Sequence, residues 1–163
     1  MEYISSDTNV WIDFSAVNAL ELPFRLDCTY LMSSDAIEDE WRSPRGRGTE
    51  LLALGLQAVE ITTDEFYYAE ELRGRYPRLS VYDTFALAIA KFRRIVLLTG
   101  DGRLRKAAAE EGVTVRGTLW IFDELLRNRK LSQDEYRGFM LTLKQLNGNV
   151  IRLPAEEIEK RIR

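Results

Sequence analysis

Short apolar runs alternate along the chain with longer stretches whose apolar residues recur every three or four positions, the pattern of strands alternating with helices. EYISS (2–6) and CTYLMS (28–33) read as the first two strands, followed by AVEIT (58–62), RIVLLT (94–99) and VTVRG (113–117). RIVLLT is the most continuous apolar run of the five and suits the centre of a parallel sheet. Val10, Trp11, Phe14 and Val17 lie at helical spacing between the first two strands, and DAIEDEW (35–41) predicts a short helix after the second. RSPRGRG (42–48) reads as a loop from its Pro and Gly content, TELLALGL (49–56) as a helical turn or two, and TDEFYYAEELRGRY (63–76) as a helix.

The next helix announces its start. Ser80 stands three residues before Asp83, the S-x-x-D capping-box pattern, ahead of an apolar body of Phe85, Leu87, Ala88 and Ile89. DGRLRKAAAEEG (101–112), TLWIFDELLRNRK (118–130) and LSQDEYRGFMLTLKQLNG (131–148) follow as helices, the last capped by Ser132 with Glu135 three residues on. Pro154 opens a final short helix. The alternation predicts a three-layer α/β/α fold with a mainly parallel sheet, whose function sits in the crevice beyond the carboxyl ends of the strands. Residues 1–130 are expected to form that domain and residues 131–163 a C-terminal helical extension packed on it, with a weak boundary at Asn147–Asn149.

Composition narrows the chemistry. A chain of 163 residues, 45% hydrophobic and 30% charged, suits one soluble domain with a real core. No apolar run approaches the roughly 20 residues that span a bilayer. The N-terminus lacks a basic segment leading into an apolar one, so the expected location is the cytoplasm. With no His, imidazole is excluded as base or ligand, and the single Cys28, in an apolar run, reads as a small core side chain. Hydrolysis is left to carboxylates, hydroxyls, Lys and hard metal ions. The net charge of −3 argues against a basic surface overall, yet Arg clusters at 42/45/47, 73/75/78 and 103/105 with Lys106, and its planar fork suits phosphate.

Four acids stand out, and each has a bland explanation. Asp7 and Asp101 could be helix N-caps, Asp83 half of a capping box, and Glu40 a solvated helix residue. Taken together, Asp7 and Asp101 directly follow predicted strands and so share one sheet edge. Asp83 opens a helix antiparallel to the strand it feeds, an arrangement expected to point the helix start away from that edge unless the preceding loop returns it. Spacing alone leaves this open.

ISSDTNVWIDF, followed much later by SVYDTFALAIAKFRRIVLLTGDGRLRKAA, resembles the PIN domain, a small α/β nuclease domain. The shared features are Asp-Thr-Asn after the first strand, an Asp opening an Ala-rich helix, and Thr-x-Asp closing the next strand. The resemblance covers roughly residues 2–130, and VRGTLWIFDELLRNRKLS is similar to one bacterial and archaeal subgroup of stand-alone PIN proteins. It implies that Asp7, Asp83 and Asp101 are site acids with Thr99 as the accompanying hydroxyl. Glu40 matches the acid after the second strand, with Glu38 and Asp39 close enough to be alternatives. Asp13 and Asp123 fall outside the site as surface or helix residues. RSPRGRG has no counterpart and reads as an inserted substrate-contacting segment.

Four converging carboxylates repel one another unless a cation compensates them, and Mg²⁺ or Mn²⁺ with oxygen ligands does so best. Such an ion also activates water near neutral pH without imidazole. The resemblance implies a metal-dependent endoribonuclease cutting single-stranded RNA, with Asp7, Glu40, Asp83 and Asp101 as catalytic and metal-binding acids. Thr8, Asn9 and Thr99 position ligands or substrate, and Arg45, Arg47 and Arg103 hold RNA. It further implies a toxin of a toxin–antitoxin pair, with an antitoxin protein as partner and a homodimer as the assembly. Trp11, Phe14 and the stripe Phe139, Leu143 and Leu146 are candidates for the subunit contact, with burial in the core as the alternative. An inactive PIN-like scaffold binding protein or RNA is the competing function. A receiver or phosphatase fold is disfavoured, because TNVWIDF supplies no adjacent acid pair.

Overall fold

The computed structural model describes residues 2–40 and 47–163, with the side chains of Glu40 and Arg47 outside that description. Five strands, β1 (Glu2–Ser6), β2 (Cys28–Ser33), β3 (Gln57–Val59), β4 (Val96–Leu98) and β5 (Val115–Arg116), form one all-parallel sheet in the order β3-β2-β1-β4-β5. The sequence places β1 and β2 correctly, whereas β3 begins one residue earlier than expected and is shorter. Thr62, expected at the end of that strand, instead caps the following helix.

Helices α1 (Thr8–Ala16), α2 (Ser34–Glu40), α3 (Arg47–Leu54), α4 (Thr63–Arg75), α5 (Val81–Arg93), α6 (Gly102–Glu110), α7 (Thr118–Arg127), α8 (Gln133–Leu146) and α9 (Ala155–Ile162) connect and cover the strands. Most of RSPRGRG lies outside the described residues, but Arg47 opens α3 rather than closing a loop. A 3₁₀ turn at Leu22–Arg25, with Pro at its start, was not predicted.

Residues alternate across the sheet and build two cores. Ile4, Tyr30, Met32 and Leu98 face one side, packing with Trp11, Phe14, Leu51, Phe122, Met140, Leu143 and Ile158 from α1, α3, α7, α8 and α9. Leu97 faces the other, with Leu72, Leu87, Leu104 and Ala108 from α4, α5 and α6. Three layers result. Trp11 and Phe14 are wholly buried, Leu143 is buried, and Phe139 and Leu146 pack against the same core. Trp11, Phe14 and Leu143 therefore belong to the chain's own interior, while Phe139 and Leu146 are partly buried at its margin.

Two polar contacts fix α5, one to the sheet and one to α4. Ser5 Oγ, fully buried in β1, donates to the Ala86 carbonyl at 2.7 Å. At the other end of α5, Arg93 Nε donates to Glu65 Oε2 at 2.9 Å, and Glu65 is 1% exposed. Arg93→Ala strands that carboxylate and is expected to cost about 2–3 kcal/mol, read as a lower urea midpoint at unchanged m.

A candidate active site at the carboxyl edge of the sheet

The strand order reverses direction between β1 and β4, and such a switch point opens a crevice beyond the carboxyl ends of the two strands. Asp7 is the first residue past β1. Its backbone N–H donates to the Leu98 carbonyl at 2.9 Å, extending the pairing with β4 by one step. Its side chain caps α1, Oδ1 accepting from Thr8 N at 2.8 Å, while Oδ2 accepts from the buried Thr99 hydroxyl at 2.9 Å. The same Thr99 Oγ1 accepts from Asp101 N at 3.0 Å. One hydroxyl thus ties together the residues that follow two adjacent strands.

Asp101 caps α6, Oδ1 accepting from the N–H groups of Arg103 and Leu104 at 2.9 and 3.0 Å. Asp83 completes the capping box of α5, Oδ2 accepting from Ser80 N at 2.9 Å while Ser80 Oγ accepts from Asp83 N. Among the described residues, Oδ1 of Asp83 and Oδ2 of Asp101 make no hydrogen bond. In each, one carboxylate oxygen caps its helix while the other is not used by the cap. The start of α5 is not turned away from the site. A helix antiparallel to the strand it feeds begins where that strand will end, so Asp83 returns to the carboxyl edge without help from the loop.

The electrostatics couple Asp7 to Asp83 and Asp101, and Asp83 to Asp101. Burial, then the charge of Asp83, and more weakly that of Asp101, push the Asp7 carboxyl up from 3.8 to about 7, against the hydrogen bonds from Thr99 and Thr8. Asp83 is likewise raised by burial, and further by Asp101, against the hydrogen bonds from Ser80. Three helix N-termini favour negative charge here, yet they do not offset it. None of the ion pairs among the described residues involves Asp7, Asp83 or Asp101. A hard divalent cation suits this all-oxygen, uncompensated set. Among the described residues, no three acidic side chains stand close enough to hold one ion together.

A family model described as a PIN domain matches residues 3–163, nearly the whole chain including the C-terminal helices. The chain belongs to the PIN-domain family. No curated protein and no solved structure matches it. PIN domains are in general nucleases, hydrolases of the phosphodiester bond that bind RNA. No helix among the described residues is long and apolar enough to cross a membrane.

The remaining predicted residues of this PIN domain fall at different places. Thr8 is half-buried beside Asp7, and Asn9 and Arg103 line a hollow together with Asp101 and Asp13. Glu40 ends α2, its side chain outside the described residues, as are Arg45 altogether and the side chain of Arg47. The Asp39 side chain accepts from the hydroxyl of Tyr82, the neighbour of Asp83, which brings α2 to the start of α5. Of the Arg73/Arg75/Arg78 cluster, Arg73 pairs with Glu70 and Arg75 with Glu111, so two of its three charges are already engaged.

Asp13 is a helix residue of α1, one of the two placements expected for it, but the surface placement fails. It is 7% exposed, not a surface residue, and Oδ2 accepts from Thr118 Oγ1 at 2.6 Å. Burial pushes it up to about 6. The signal was present: Asp13 lies three residues after Val10 and four before Val17, on the apolar stripe of α1. Asp123 is a helix residue of α7, held bidentately by Arg161 of α9 and by the Tyr136 hydroxyl.

Thr99→Val removes the hydrogen bond that favours ionised Asp7, so the Asp7 carboxyl rises further. The expected result is a cleavage profile whose rising limb moves to higher pH, with about 1–2 kcal/mol of stability lost.

Proposed function

We propose that this PIN domain is a metal-dependent endoribonuclease that hydrolyses single-stranded RNA, acting as the toxin of a toxin–antitoxin pair. The observation that carries the reading is a buried Asp7 at the switch point with Asp83 and Asp101 near enough for their charges to add to the effect of burial, which together raise it to about 7. Asp7, Asp83 and Asp101, with Glu40 as the fourth acid, hold Mg²⁺ or Mn²⁺, which when bound supplies an activated water and stabilises charge on the phosphate. Thr99 orients Asp7 and anchors the Asp101 backbone, and the capping bonds of Ser80, Thr8, Arg103 and Leu104 hold the carboxylates at fixed rotamers. The neutralising partner in this reading is an antitoxin protein, and the assembly is a homodimer formed by surfaces other than Trp11 and Phe14.

The test is cleavage of a fluorescently labelled single-stranded oligoribonucleotide with and without Mn²⁺. Cleavage that requires the ion and is blocked by chelator supports the reading. A protein that binds Mn²⁺ and RNA yet cuts none of a panel of RNA sequences overturns it in favour of the scaffold.

A further inference from the structure

A groove leads away from the acids along the β5 side of the sheet. It consists of two hollows that share Gly100, Gly102 and Arg152. The nearer is lined by Asn9, Asp13, Asp101 and Arg103. The farther, about 630 Å³, is lined by Arg105, Arg116, Trp120 and Arg152. That volume is within the ~300–1,000 Å³ of typical ligand sites.

The protein leaves the charge of the farther hollow unbalanced. Its other charged pair, Arg161 and Glu157, is self-contained: Arg161 binds Glu157 and Asp123. Among the described residues, Arg105, Arg116 and Arg152 make no ion pair. Two of them are nevertheless held in place. Arg105 Nε donates to the Thr99 carbonyl at 3.0 Å, and Arg116 lies over the Trp120 ring at 6.0 Å. Arg105 also explains Gly117, whose extended backbone any residue could adopt: a Cβ there would stand 2.6 Å from Arg105 Nη2. Of the five N–H groups on Arg105, one is used and the fork stays open. Thr99 grips Arg105 through its carbonyl and Asp7 through its hydroxyl, which sets the guanidinium at a fixed offset from the acids.

We propose that Arg105, Arg116 and Arg152 form a phosphate-binding subsite for the backbone of single-stranded RNA, which passes from the acids over Gly100 and Gly102 towards Trp120. The exposed glycines leave a floor without side chains, and the open forks match phosphate oxygens. The inference rests on the nuclease reading for its choice of RNA, and the subsite itself needs no metal.

The experiment measures binding of a labelled oligoribonucleotide in metal-free buffer across a salt series, in the wild type and in Arg105→Gln, Arg116→Gln and Arg152→Gln. Single-stranded RNA loses about 0.7 in the slope of log K against log salt per phosphate contact removed. Each variant is expected to show that flattening and weaker binding, about tenfold for Arg105→Gln. Arg127→Gln, which removes the same charge from the far end of α7, is expected to bind as the wild type does. Gly117→Ala displaces the Arg105 fork without changing net charge and is expected to weaken binding, so the proposal stays testable should Arg105→Gln fold poorly. Wild-type affinity and slope in the Arg105 and Arg152 variants overturn the subsite while leaving Mn²⁺-dependent cleavage untouched. RNA held through these arginines but never cut overturns the nuclease reading and keeps the subsite. A wild type that neither binds nor cuts RNA overturns both.

Discussion

Asp83→Asn is expected to lower Mn²⁺-dependent RNA cleavage by roughly a thousandfold while leaving the fold intact, the scale seen when one charge-handling group is removed from a water-excluded site. The two halves of this prediction come from the two oxygens of the side chain. Oδ2 serves the helix by accepting from Ser80 N, and Asn keeps an acceptor oxygen for that bond. The other oxygen has no hydrogen-bond partner among the described residues, and Asn removes the negative charge that the proposed ion would need. Circular dichroism and the melting temperature should therefore match the wild type to within the small cost of a neutral cap. Asp7→Asn is expected to be as severe for cleavage. Undiminished cleavage in either variant removes that residue from the site.

The second large effect is on stability against pH. The Asp7 carboxyl is raised in the folded state to about 7 from 3.8, so folding takes up a proton between those values. An acid shifted this way contributes least where it is forced to ionise: stability falls as pH rises from about 4 to 7 and is flat beyond. At about 1.4 kcal/mol per pH unit, the loss from Asp7 is on the order of 4 kcal/mol as an upper bound. Asp13, raised to about 6, adds in the same direction. Glu65 and Glu111 have the opposite sign: hydrogen bonds from Arg93 and from Tyr68 and Tyr76 overcome their burial and hold them below 4.5, so their contribution disappears at more acid pH. The metal-free protein should be most stable near pH 5. Asp7→Asn should raise its urea midpoint at pH 8, and millimolar Mn²⁺ should raise the wild-type midpoint at pH 8 far more than at pH 5. A wild-type midpoint that climbs steadily from pH 5 to 8 without metal would contradict this assignment of charge.

How far the sequence carries can be judged from individual residues. The three layers were legible because strand and helix periods alternate, and Ser80–Asp83 and Ser132–Glu135 named two helix starts that the structure realises as capping boxes. The short β3 was harder, since Gln57–Val59 is too brief to show a period and Thr62 belongs to the next cap. The position of Asp83 follows from the strand its helix feeds, because α5 runs antiparallel to β4 and so begins at the carboxyl edge. Arg105 was visible as one of a charged cluster, but its position depends on a contact with the Thr99 carbonyl and on the space over Gly117 that its guanidinium fills, and neither leaves a mark in spacing. Trp11 and Phe14 could not be told apart from an interface, because burial within a chain and burial between chains select the same residues.

The central claim is that acids brought from three separate segments share one compensating ion. Titration of Mn²⁺ into the protein by calorimetry at pH 7, in buffers of different ionisation enthalpy, tests it most directly. With Asp7 raised to about 7, binding at that pH should release protons, and Asp7→Asn should lose the affinity and reduce the release. Absence of Mn²⁺ binding to the wild type, or binding that Asp7→Asn leaves unchanged, would contradict it.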